Sequence, residues 1–111
     1  MILNIHDYIN SSLAVSANQG QKVFEKITDT IKKDEKIIIN FSELTTITTA
    51  FLNTAIGQLY NIGSGSTLNN YIHIDGNTLS PSQREKVRLV MQNAKHQLTP
   101  QETKEEMNRD D

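Results

Sequence analysis

The 111-residue chain has no cysteine, no tryptophan, only two prolines and 5 % aromatic residues. Lacking cysteine, it has no disulfide frame, no thiol nucleophile and no cysteine-based zinc site, a composition that fits a reducing cytoplasm. Lacking tryptophan and holding few aromatics, it must build its core from Ile, Leu and Val. It also lacks an excess of one charge. The net charge is −2, so no global basic field gathers nucleic acid. No apolar run approaches the roughly 18 residues of a membrane span. The opening MILNIHDYIN has neither the basic nor the apolar region of a signal peptide. Nucleotide-binding and hydrolase signatures (G-x-G-x-x-G, P-loop, G-x-S-x-G) are missing too. Composition alone gives a small soluble α/β domain and names no function; a cytoplasmic place, with neither membrane nor nucleic acid as partner, is the expectation. At this length folding removes roughly two-thirds of the unfolded chain's surface from water, enough for one core.

The apolar residues that are present come in alternating patterns. Ile2, Leu3, Ile5, Tyr8 and Ile9, broken by Asn4, His6 and Asp7, read as a half-exposed first strand. Ser16 with Gln19 three residues on is a capping box. Val23, Phe24, Ile27 and Ile31 then follow at helical spacing, which predicts a helix from about Ala17 to about Lys33. Lys36 to Phe41 (KIIINF) carries three consecutive β-branched residues and apolar side chains on both faces, so it belongs in the middle of a sheet. Residues 50–62 return to helical spacing through Leu52, Ala55, Ile56 and Leu59, with Thr48 or Thr49 as cap and Gly63-Ser64-Gly65-Ser66 as a terminating turn. Leu68 to Asp75 reads as a third strand with Ile72 and Ile74 on one face and Tyr71 and His73 on the other. Ser80-Pro81-Ser82-Gln83 starts a last helix whose buried stripe is Val87, Val90, Met91, Ala94 and Leu98. A βαβαβα order implies right-handed crossovers and a mostly parallel or mixed sheet. Ile38, Phe41, Leu52, Ile56, Ile72 and Val90 are expected in the core. Residues 1–98 hold nine Lys/Arg and eight Asp/Glu, whereas 99–111 hold two against five. That acidic tail has one large apolar residue, Met107, and reads as frayed helix or disorder after a domain at 1–98.

Little in this pattern carries chemistry. His6, His73 and His96 share no ligand spacing, so no metal site is expected. The carboxylates do not pair as acid and base, and no nucleophile has an evident partner. The chain therefore reads as non-catalytic and without cofactor. Arg84, Lys86, Arg88 and Lys95 form only a modest solvated patch with no interleaved aromatic. The unusual stretch is Thr45-Thr46-Ile47-Thr48-Thr49. Strand ends and helix caps account for most of its threonines. Its position at the carboxyl end of a central strand is also where open α/β sheets place their sites. There a hydroxyl at a helix start can take a phosphate near free N–H groups.

IIINFSELTTITTAFLNTAIGQLY, preceded by the helix that begins at Ser16, resembles the core of STAS domains, the fold of bacterial anti-sigma factor antagonists and sulfate-transporter tails. It is closer still to the STAS-like domains of unknown function in small bacterial proteins. The matching residues are Ile37–Phe41, Ile47, Phe51 and Leu52, within a span of roughly Ser12 to Ala94. The resemblance implies a single-domain STAS-like α/β fold with helices mainly on one face of the sheet. It also implies a regulatory module that binds another protein, an ATPase-type kinase or an anti-sigma factor. It places the family's phospho-acceptor hydroxyl at Thr49, with Thr48 where the family has Asp, Ala50 for a second Ser and Phe51 for Gly. Partner contacts are expected at Thr45, Thr46, Thr48, Thr49, Asn53 and Gln58. The rival expectation is a small-ligand or nucleotide-binding domain that uses the Thr45–Thr49 loop. A large polar pocket beside the loop favours the ligand, a shallow surface the protein partner.

Overall fold

A computed structural model of the chain describes residues 1–63 and 65–97. The whole acidic tail, 99–111, expected as frayed helix or disorder, and Leu98 of the last stripe lie outside the described residues. Three strands, β1 (Ile2–Asn4), β3 (Ile37–Asn40) and β5 (Ile72–Ile74), form a wholly parallel sheet in the order β1-β3-β5. A second, two-stranded parallel ribbon joins β2 (Leu13–Ala14) to β4 (Thr46–Ile47). The helices are α1 (Ile5–Ile9), α2 (Ala17–Lys32), α3 (Thr49–Ala55), α4 (Gly65–Tyr71) and α5 (Pro81–Gln97), with 3-10 turns at Gly57–Asn61 and Gly76–Thr78. The architecture is the α/β class expected, with β3 central in the main sheet.

Register explains where the core sits. Leu3, Ile39 and Ile74 form one row across the sheet and Ile37 and Ile72 the next. Leu3, Ile37 and Ile39 are buried under the helices. The opposite face carries the row Ile2, Ile38, His73 and the pair Asn4, Asn40, and it is open. Ile38 is 37 % exposed and Ile2 67 %. The expected burial of Ile38 is therefore wrong, although the central position of its strand is right. Both faces of the strand are apolar, but only one is covered. Ile72 is half-buried rather than buried because β5 forms the sheet edge.

The long helices start where the sequence puts them. Ser16 and Gln19 make a complete capping box on α2, and Ser80 and Gln83 exchange the same pair of bonds at α5. Shorter elements depart from the sequence pattern. The first strand stops at Asn4 because the Asn4 side chain accepts from the Asp7 amide and caps α1, which ends on Asn10 in the left-handed region. The helix expected over 50–62 is interrupted after Ala55 and continues as a 3-10 turn from Gly57. The Gly-Ser stretch does not end structure: Gly65 and Ser66 begin α4, so Leu68 is helical and the third strand shrinks to Ile72–Ile74. Tyr71 closes α4 and its hydroxyl donates to Asp34 Oδ1 at 2.6 Å.

Candidate functional site

The threonine stretch is part of the β2–β4 ribbon rather than a loose loop. Leu13 pairs with Thr46 and Ala14 with Ile47. Ala14 and Ile47 point into the core while Leu13 and Thr46 point outward. Most of the local hydrogen bonds serve this pairing. The Thr45 hydroxyl donates to the Ser12 carbonyl at 3.2 Å. Thr48 caps α3: its Oγ1 accepts from the Phe51 amide at 3.2 Å and donates to the Val15 carbonyl at 3.0 Å. The cap thus engages one of the first-turn amides of this seven-residue helix, that of Phe51. Lys86 of α5 reaches across and donates from Nζ to the Ile47 carbonyl at 3.0 Å. This bond ties the end of β4 to the last helix.

Five of the six expected partner-contact residues lie on this stretch or just beyond it. Thr45, Thr46, Thr49 and Asn53 are exposed, and Thr48 is half-buried. Thr49 and Asn53 are one helical turn apart on α3, so they share a face. Gln58 stands apart. It is half-buried, and its amide nitrogen donates to Gln21 Oε1 at 3.0 Å and to the Thr54 carbonyl at 2.8 Å, so it fastens the 3-10 turn to α2 and α3. Reading threonines alone misses the apolar partners of this surface. Leu13 is 47 % exposed and Val15 40 %, one beside Thr46 and the other joined to Thr48. The alternation Leu13, Ala14, Val15 signals them only once a strand is assigned there.

Two other features lie away from this surface. His6, Asp7 and Glu43 each offer one ligand atom, all within 4.8 Å of one another. His6 Nδ1 lies 3.2 Å from Asp7 Oδ1 and 3.9 Å from Glu43 Oε2. Glu43 arrives through the tertiary fold, from a backbone position with φ 69°, which is why sequence spacing does not show the group. The cluster is at the surface, and an exposed trio of this kind is common without a cation. The second feature is a cavity of about 610 Å³ between β5, α4, the 3-10 turn after α3, and α5. None of Thr45–Thr49 lines it. No helix among the described residues is long and apolar enough to cross a membrane.

No curated protein and no solved structure gives a significant match to the chain. A family model, described as a STAS-like domain of unknown function, matches residues 19–80. The match begins in the first turn of α2, takes in the β3–β4–α3 unit and ends at the cap of α5, which is more than half of the chain. The chain belongs to the family of STAS-like domains of unknown function.

Proposed function

We propose that the domain is a non-catalytic regulatory module that binds another protein through the outer face of the β2–β4 ribbon and the start of α3. The observation that carries this reading is the pairing of exposed Leu13 and Val15 with the exposed threonines Thr45, Thr46 and Thr49 on one rigid surface. Apolar side chains ringed by short polar ones suit a protein interface. Family membership supports a partner of the kind STAS domains take, an ATPase-type kinase or an anti-sigma factor in the cytoplasm. The cavity lies elsewhere, with none of Thr45–Thr49 in its lining, which favours a protein over a nucleotide at this stretch. Thr49 is exposed and makes no side-chain hydrogen bond among the described residues, so it can accept a phosphate without breaking the fold, and Lys86 brings a positive charge nearby.

The test is affinity for the partner recovered from the native host, measured with Leu13→Glu and Thr49→Asp beside circular dichroism. Both variants should keep the fold and weaken binding about tenfold or more, since a charge lands in a desolvated contact. Unchanged affinity in both removes the ribbon as the interface.

A further inference from the structure

The cavity beside β5 exists because the sheet stops there. Ile72, His73 and Ile74 are consecutive in β5 and all three line it, so its wall is the strand's free edge rather than one face. The opposite wall is the stripe Arg84, Val87, Arg88, Met91 on α5, the i, i+3, i+4, i+7 set that shares one helix face. Leu59 and Leu68 are among the side chains that close the floor. The volume falls inside the range of small-molecule sites, about 300–1,000 Å³, and such sites are apolar with a few placed polar groups.

Of the polar residues that line the cavity, Asn69 and His73 are exposed, and two others, Arg84 and Tyr60, would place a ligand. Arg84 makes no ion pair and no side-chain hydrogen bond among the described residues. Its neighbour Arg88 is held by Glu85 and by Gln92, so its charge is already met. Arg84, in the first turn of α5, and Gly76, just past β5, both line the cavity. Arg84 is exposed, and a side-chain methyl built at Gly76 would meet nothing within 4 Å, so both border open space. Tyr60 is the second group. It is only 6 % exposed and lines the cavity. Its hydroxyl has no hydrogen-bond partner among the described residues, which is costly for a buried polar group unless something else satisfies it. Tyr60 sits towards the other end: Gly65 is close to both its ring and Lys95, on the last turns of α5. Arg84 and Lys95 are eleven residues apart on one helix, or roughly 16 Å along its axis.

We infer that this cavity binds a free medium-chain alkyl carboxylate that carries a second oxygen near its far end. The carboxylate meets Arg84 at the open mouth, the chain lies between the β5 edge and α5, and the distal oxygen meets the Tyr60 hydroxyl. Arg favours a carboxylate over a neutral or cationic head. The chain supplies the apolar contact that Leu59, Leu68 and Met91 offer. This site shares no residue with the Leu13–Thr49 surface, so either can fail without the other.

The probes are decanoate, 10-hydroxydecanoate and decyltrimethylammonium, titrated below their micelle concentrations into the ¹⁵N-labelled full chain. Decanoate should shift the amides of Ile74, Leu79 and Arg84, and 10-hydroxydecanoate should bind more tightly. Arg84→Glu should lower decanoate affinity about tenfold or more and improve binding of the cationic amphiphile. Arg88→Gln should change little. Tyr60→Phe should keep decanoate binding and abolish the advantage of the hydroxylated chain. Any of three results overturns the proposal: no binding of either carboxylate, equal binding of the two head charges to the unaltered protein, or equal losses in Arg84→Glu and Arg88→Gln. A hydroxylated chain that gains nothing over decanoate removes Tyr60 from the site. Leu13→Glu serves as the folded control and should bind decanoate normally.

Discussion

The two sides of α3 and the turn that follows it are built differently. On one side α2 packs closely against α3. Gly20 of α2 is buried there, and a methyl in its place would lie 2.6 Å from the Phe51 carbonyl oxygen and 2.8 Å from Thr54 Cβ. Phe51, Leu52, Val23 and Ile27 fill this seam completely. On the other side, between the 3-10 turn, α4, β5 and α5, equally apolar residues stand around empty space. Apolar composition alone does not decide whether two elements close on each other. At the α2–α3 seam Gly20 lets the two backbones approach and the 16-residue α2 brings a long buried stripe, whereas the β5 edge of the cavity is a strand of only three residues.

The largest expected effect tests the filled side against the hollow one. Phe51→Ala should cost about 3–5 kcal/mol, because a fully buried ring leaves a cavity that the tight seam cannot collapse into. Met91→Ala removes a side chain that already borders open space, and should cost less than about 2 kcal/mol. Urea titration measures both. Similar costs at the two positions would erase the distinction.

The same contrast runs across the central strand. Ile39 is fully buried on the helix side and its neighbour Ile38 faces outward. Ile39→Ala should cost about 2–5 kcal/mol, and Ile38→Ala about 1 kcal/mol or less, the scale of strand propensity at a partly exposed site. An equal pair of costs would mean that another chain or segment covers the open face in solution.

Gly20→Ala sharpens the comparison at a single atom. In an exposed helix this change stabilises by about 1 kcal/mol. Here the added methyl meets backbone and a Thr Cβ, so overpacking of about 1–3 kcal/mol should outweigh that gain. Gly76→Ala at the cavity mouth has free space and should stay within about 0.5 kcal/mol of zero. Thermal melts of the two variants decide it. A Gly20→Ala protein that melts higher than the parent would show that α2 can shift and that the seam is looser than described.

These regions were unequally legible in the sequence. Long stripes with good caps announced themselves: Ser16-x-x-Gln19 with Val23, Ile27 and Ile31, and Ser80-Pro81-Ser82-Gln83 with Val87 and Val90. Short elements did not. Asn4 has to be known as a cap before Ile5–Ile9 is a helix rather than a strand, and Gly65-Ser66 reads as a turn until tertiary packing of Leu68 makes it a helix start. The two-residue strands β2 and β4 stabilise only as a pair, so neither has a signal of its own. The threonine surface was visible as a polar run, but its apolar partners Leu13 and Val15 were not. The cavity was wholly invisible, since it is a property of which elements fail to meet.

The smallest effect tests the latch on the hollow side. The Tyr71 hydroxyl, at the end of α4, donates to Asp34, which holds a left-handed backbone (φ 60°) just past α2. This hydrogen bond, followed by the negative charge of Asp34 and by desolvation, raises the pKa of Tyr71 above its usual value near 10. The folded protein therefore holds the phenol proton more firmly than the unfolded chain does. The contribution to stability is complete below about pH 10 and is lost as pH rises through the higher native pKa. Asp34→Asn keeps a residue that tolerates φ > 0 but removes the charge and weakens the acceptor. The variant should melt slightly lower than the parent at pH 8, and the difference should shrink once the pH passes the native pKa of Tyr71, with the Tyr71 ring resonance of the variant titrating earlier. The contact is fully exposed, so the shift in melting temperature should be small. A pH-independent difference would place the effect of Asp34 in the turn itself, leaving the end of α4 held by its packing and by the pairing of β5 with β3.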